Sequence, residues 1–207
     1  MKGIVTQRNN RLIWHYDDEL MWIEPWGCDS LRVRITHLYK MPQQDWALLP
    51  AENQNASIVI SQNQASITNG KLKAVIDHLG RITFVDSKGK TVLKERWEDR
   101  AVDADKMATD NYARIFKPFG GKMPEVTMTF EPKDGEKIYG MGQRQLQFLE
   151  LKGAELELCQ KNSQSSVPFY ISNTGYGFLW NNPAVGTVNF AKNLTRWTAE
   201  ASQVIDY

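Results

Sequence analysis

The side chains able to do chemistry are few and widely scattered. His15, His37 and His78 are the histidines of the chain. None stands at the spacing from a second ligand or base that a metal site or a nucleophile pair requires. Each reads as a strand or turn histidine without a catalytic task. Cys28 and Cys159 lie far apart, without the close spacing of a zinc site. A disulfide between them is open, and two buried free thiols are the plainer reading. There is no G-x-S-x-G elbow and no phosphate-cradling loop. Tyr139-Gly140-Met141-Gly142-Gln143 has two close glycines but lacks the third glycine and the following helix of a dinucleotide site. Neither a metal nor a cofactor is expected.

Paired carboxylates are the next possibility. Cleaving a glycosidic bond takes two carboxyl groups held roughly 5–10 Å apart. The acidic neighbours are Asp17-Asp18, Glu98-Asp99, Asp103 with Asp105, and Glu155 with Glu157. Acids this close in sequence read as solvated charge, because a working pair comes from separate strands. Aromatic residues offer a binding chemistry instead. Trp14, Tyr16, Trp22 and Trp26 cluster near the N-terminus of a chain with seven tryptophans. An exposed row of such rings would stack on sugar C–H faces; the alternative is that they fill a core or a contact between domains.

Composition narrows the partners. Twenty-five Lys and Arg face 24 Asp and Glu, a net charge of +1. Without a basic excess or a basic run, a nucleic-acid partner is not expected. The first residues, Met1 to Arg8, contain no apolar signal core, and no run approaches the roughly 20 apolar residues of a membrane span. The chain therefore reads as cytoplasmic, and the sequons Asn55-Ala56-Ser57 and Asn193-Leu194-Thr195 read as chance matches.

The elements that must position these residues repeat with a period of two. Ser30 to Thr36 alternates apolar and polar side chains strictly, as a strand does with one face on a core and the other in water. Ala65 to Thr68 and Lys71 to Ala74 flank Asn69-Gly70, a hairpin signal because both residues tolerate positive φ. Arg81 to Val85, Thr91 to Leu93, Val126 to Phe130, Lys137 to Tyr139, Val167 to Ser172, Tyr176 to Trp180, Val185 to Phe190 and Thr195 to Thr198 continue the pattern between Gly and Asp turns. Pro168 reads as the start of a strand, where no ladder donor is required. Such spacing predicts an all-β fold, a sandwich or barrel. Two stretches break it. Glu95 to Lys122 reads as a long surface connection, and Gln143 to Asn162 as a connection with a short helix around Ala154 to Leu158.

Ile138-Tyr139-Gly140-Met141-Gly142-Gln143, then Asn162, then Val167 to Pro183 (V-P-F-Y-I-S-N-T-G-Y-G-F-L-W-N-N-P) resemble a block in family 31 glycoside hydrolases. The likeness is specific over the last seventy or so positions and pattern-deep from Ser57 to Leu93. It implies an antiparallel β-sandwich of the galactose-mutarotase-like (supersandwich) type, a single N-terminal domain over residues 1–207. In that family the catalytic (β/α)8 barrel follows and carries the nucleophile and acid/base aspartates of a retaining α-glucosidase or α-xylosidase. No stretch here resembles the barrel motif W-x-D-M-N-E, so no catalytic residue is carried over. The resemblance implies an accessory role: supporting the chain's own C-terminal barrel and lending a loop to a pocket for an α-linked oligosaccharide. That loop falls within Glu155 to Ser166. Gln160 and Asn162 are its candidate substrate-binding residues, since amides both donate to and accept from hydroxyls. The family often has an aspartate in this loop and this sequence has none. The competing readings are a stand-alone carbohydrate-binding module and, by fold analogy alone, an aldose mutarotase.

Overall fold

Period-two patterning becomes strand throughout the computed structural model, which describes residues 2–45, 47–50, 55–97, 113–118, 121 and 123–207. Among the described residues there are eighteen strands and no helix, in four antiparallel sheets. The first sheet runs β1 (Ile4–Arg8), β2 (Arg11–Tyr16), β3 (Glu19–Pro25), β4 (Leu31–Thr36) and β18 (Ile205–Asp206). A meander of β5 (Ser57–Ile60), β6 (Ala65–Asn69), β7 (Leu72–Ile76), β8 (Ile82–Asp86) and β9 (Thr91–Lys94) forms the second. The third places β10 (Arg114–Lys117) beside β11 (Glu125–Phe130), then β17 (Thr195–Ala199), β16 (Gly186–Asn189) and β13 (Glu155–Leu158). The fourth is β12 (Ile138–Gln143), β14 (Ser165–Ser172) and β15 (Tyr176–Leu179). The architecture is the all-β sandwich expected.

The core follows from the register. Leu12 faces Ile23, Trp14 faces Met21, and Met21 and Ile23 face Ile35 and Val33, so one face of the first sheet is continuously apolar. Between the third and fourth sheets the core is aromatic. Trp197 stacks on Phe178, Trp180 and Tyr170 at ring distances of 5.2, 5.8 and 6.1 Å, and Phe130 meets Phe178 edge-on at 5.3 Å. These offset and edge-on geometries are the favoured ones for aromatic pairs.

Several local expectations need correcting. The segment read as a short helix is β13: Glu155 and Glu157 face solvent while Leu156 and Leu158 face the core, a period of two. The Asn69-Gly70 turn forms, but its two loop residues are Gly70 and Lys71, and only Gly70 has positive φ (56°). Asn69 ends β6 instead, its buried amide donating to the carbonyls of Gly27 (2.8 Å) and Ser30 (2.7 Å). The long connection from Glu95 contains the strand β10; Glu98, Asp99, Asp103 and Asp105 lie outside the described residues. Pro168 sits inside β14, opposite the irregularity between Gly140 and Gly142 where no ladder donor is needed. The polar face of β4 does not meet water. Arg32 and Arg34 are buried, 4% and 5% exposed.

Those arginines organise a charged layer. Arg34 and Arg11 converge on Glu24, with Arg11 lying 3.8 Å over the Trp22 ring. Arg32 donates to both carboxylate oxygens of Asp206 (2.9 and 2.6 Å) and reaches Asp45. Burial pushes the Asp206 carboxyl above its ordinary value against the pull of Arg32. Further in, Arg114 donates to both oxygens of Glu95 (2.9 and 2.7 Å), to Glu19 (2.6 Å) and to the Gly80 carbonyl (2.8 Å). Both side chains are almost wholly excluded from solvent, which is tolerable only because nearly every donor and acceptor is matched.

Candidate functional site

β13 and β14 are joined by the loop that carries the candidate residues. At its tip Gln164 N–H donates to the Lys161 carbonyl (2.9 Å), and Ser163 has positive φ (70°). Asn162 lies at this tip, exposed, its Oδ1 accepting from Ser163 N–H at 2.9 Å. Gln160 is exposed too, but its amide is engaged with one residue. Nε2 donates to the Ser166 carbonyl (2.7 Å), and Oε1 accepts from Ser166 N–H (3.0 Å). The side chain thus replaces a ladder partner at the root of the loop. One amide hydrogen and one lone pair of Gln160 remain for other partners. Lys161 pairs with Glu157 across one face of the loop.

Beside the loop lies a cleft of about 570 Å³, lined by Cys159, Gln160, Ser166, Pro168, Trp180 and Asn182 among others. This is within the size range of small-molecule sites. Asn182 is spoken for: its amide donates to Ser202 Oγ (2.8 Å) and the Val204 carbonyl (3.2 Å). Asn181 likewise donates to Asp206 (2.8 Å). A second pocket of about 250 Å³ is mostly apolar, with Phe84, Phe169, Phe178 and Tyr207 in its wall. The polar groups on its rim, Arg32, Asn181 and Asp206, are bonded to one another.

The remaining sequence candidates disperse. Among the described residues, neither cavity is lined by a pair of carboxylates. Glu155 accepts from Asn189 (3.0 Å), and Asp18 lies 3.3 Å from His37 Nδ1. Among the described residues no group of three or more His, Cys, Asp and Glu could hold a metal ion. Both cysteines are free, yet not buried as expected: Cys28 is exposed and Cys159 partly so. The N-terminal aromatics form no open row. Trp14 is buried, Trp22 lies under Arg11 and Arg34, and Trp26 under Arg32, leaving Tyr16 exposed. Sequence reasoning missed Arg144. Its guanidinium donates to the carbonyls of Met141 (3.1 Å) and Glu157 (2.9 Å) and to Ser166 Oγ (2.8 Å). Its only local signal was an arginine directly after the two-glycine stretch.

The two glycines of that stretch are explained by geometry. Gly140, Met141 and Gly142 all have positive φ (117°, 68° and 80°), and a Cβ at Gly142 would collide with the backbone of Ser165 and Val167. This bulged strand, the loop and most of the sandwich lie within one family match. The model of the glycosyl hydrolase 31 N-terminal galactose mutarotase-like domain matches residues 21–189. The chain belongs to glycoside hydrolase family 31.

Relatives in the family extend the likeness to nearly the whole chain. A protein of Pseudescherichia vulneris, described as an uncharacterized family 31 glucosidase, is 40% identical over 98% of this chain and 40% of its own length. Alpha-xylosidase A of Aspergillus niger is 25% identical, with 91% of this chain and 27% of that protein covered. Among solved structures, a family 31 alpha-xylosidase from a soil metagenome, complexed with xylose, superposes with a TM-score of 0.92. It is 40% identical and is matched over 98% of this chain and 31% of that one. The chain thus spans well under half the length of these family 31 relatives. No helix among the described residues is long and apolar enough to cross a membrane.

Proposed function

We propose that this chain is the non-catalytic sandwich domain of an α-glycosidase acting on α-xylosides or α-glucosides in the cytoplasm. On this reading all 207 residues belong to the one domain. It supports a catalytic (β/α)8 barrel and lends the Gln160–Asn162 loop to the wall of the sugar pocket; the catalytic carboxylates belong to the barrel. The observation that carries this reading is the family membership of a chain that spans only 40% and 31% of two close relatives. The loop supports the pocket role, because Gln160 lines a cleft and Asn162 stands at the exposed tip of the same loop. The fourth sheet supports the docking role. Val167, Phe169 and Ile171 project from β14 with Tyr139 beside them, each 39–56% exposed, and exposed apolar groups this close together mark an interaction surface.

The test is a titration of the purified chain with methyl α-D-xyloside and with maltose, followed by amide chemical shifts, with hydrolysis assayed on the same samples. The expected result is no hydrolysis and no binding in the micromolar to low millimolar range, with any shift at higher sugar confined to the Gln160–Gln164 loop. Binding in the lower range without turnover would turn the reading to a stand-alone carbohydrate-binding module. Clear hydrolysis by the purified chain would overturn both.

A further inference from the structure

We infer that Arg144 is the positioning residue of the loop that carries Gln160 and Asn162. The three groups it binds belong to three separate segments. Met141 is the centre of the β12 bulge, Glu157 lies near the end of β13, and Ser166 near the start of β14. β13 and β14 are the two roots of the loop, and they lie in different sheets. Ladder pairing therefore does not run from one root to the other, as it would in an ordinary hairpin, and backbone pairing is confined to the bridge between Lys161 and Gln164 at the tip. Below that bridge, beside the Gln160 clamp, the guanidinium joins the Glu157 carbonyl on one root to the Ser166 hydroxyl on the other.

Ser166 is where the two devices meet. Its hydroxyl accepts from Arg144, while its N–H and carbonyl are both bonded to Gln160. Arg144 thus fixes the residue against which Gln160 is clamped, and Gln160 precedes the turn bearing Asn162. A planar fork with five donors can reach three acceptors in fixed directions; a lysine ammonium, a point charge on a flexible stem, cannot. The bulge serves the same end. Three successive residues with positive φ, one of them the non-glycine Met141, turn the Met141 carbonyl to where Arg144 Nε reaches it. Backbone held in so sparsely populated a conformation tends to mark functional sites. Partial burial lowers the Arg144 pKa against the attraction of Glu157, consistent with a desolvated brace rather than a free surface charge.

The assignment rests on the reading of this loop as sugar-facing, but its test does not need sugar. Amide hydrogen exchange of the 207-residue chain reads loop closure directly. In Arg144→Met, the amides of Ser166 and Gln164 should exchange about tenfold faster or more, as for the loss of a hydrogen bond to a charged group. Amides of β7 should keep their wild-type rates. Arg144→Lys should not restore protection, because it keeps the charge but not the fork. If Arg144→Met does not fold, Ser166→Ala, which removes the hydroxyl acceptor alone, should still speed exchange at Gln164 and not in β7. Unchanged exchange at Ser166 and Gln164, equal acceleration in β7, or full rescue by lysine would each overturn the assignment. Methyl α-D-xyloside added to the same samples separates the two readings. Shifts at Asn162 in the wild type that vanish in Arg144→Met support both. A loop loosened in Arg144→Met, with wild-type sugar shifts that fall outside Gln160–Gln164, leaves the positioning role standing and counts against the sugar-facing one.

Discussion

β4 and β14 are both strands of alternating side chains, and they treat the alternation in opposite ways. In β4 the polar set, Arg32 and Arg34, is buried beneath ion pairs, so both faces of the strand lie inside. In β14 apolar Val167, Phe169 and Ile171 stand in solvent, while Tyr170 and Ser172 are buried. The same period thus produces charge inside one region and hydrocarbon outside another. Alternation states which side chains share a face. What covers that face decides whether charge there must be paired.

The comparison breaks most sharply in the charged interior. Arg114→Met would strand the buried Glu95 carboxylate and should cost about 3–5 kcal/mol, measured by urea unfolding. Adding Glu95→Gln should recover about 1–3 kcal/mol of that, because the uncompensated charge goes with its partner. Equal losses for the single and the double variant would mean that the layer contributes shape and not charge pairing.

A matched pair of isoleucines sharpens the contrast. Ile35 in β4 is fully buried and Ile171 in β14 is 56% exposed. Ile35→Ala should cost about 2–5 kcal/mol through lost burial and the cavity left behind. Ile171→Ala should stay within about 0.5 kcal/mol of wild type. A large loss at Ile171 in the isolated chain would show that its face is covered by the chain's own residues, against the docking role proposed above.

The smallest effect lies at an exposed charge, outside either extreme. Asp86 accepts from the backbone of Lys88 (2.8 Å) and Lys90 (2.9 Å) in the turn between β8 and β9. The Lys90 bond is the main reason its carboxyl sits below the ordinary value. A carboxylate whose folded pKa is depressed adds stability above the unfolded value, about 4 for Asp. That stability is lost as pH falls through the folded value. Asp86→Asn should therefore be less stable than wild type at neutral pH, and the two should converge below pH ~4. A constant difference across that range would exclude this titration.

Much of the fold was legible from local chemistry. The Asn69-Gly70 pair announced a hairpin, and β4 and the strands from β6 onward, apart from β10, β13 and β18, were read within a few residues of their ends. The early strands were less so. β1 to β3 are rich in tryptophan and charge, which drew attention to binding chemistry rather than to period. β13 was misread because A-E-L-E-L fits a short helix as well as a strand until a partner, β16, fixes the choice. For the candidate site, the loop and its two amides could be named from the sequence. The clamp of Gln160 on Ser166 and the brace from Arg144 could not, because each joins residues that the chain keeps six or more positions apart.

By itself, the sequence determined which residues alternate, where the chain turns, and the block of motifs that marks family 31. Those are properties of neighbours, set by backbone sterics and by a strand period of two. Tertiary structure alone decided which polar side chains would be buried and which apolar ones left in water. Arg32 meets Asp206 across 174 positions of chain. Solvation energy depends on the final surroundings of a group, and no local pattern of residues specifies those.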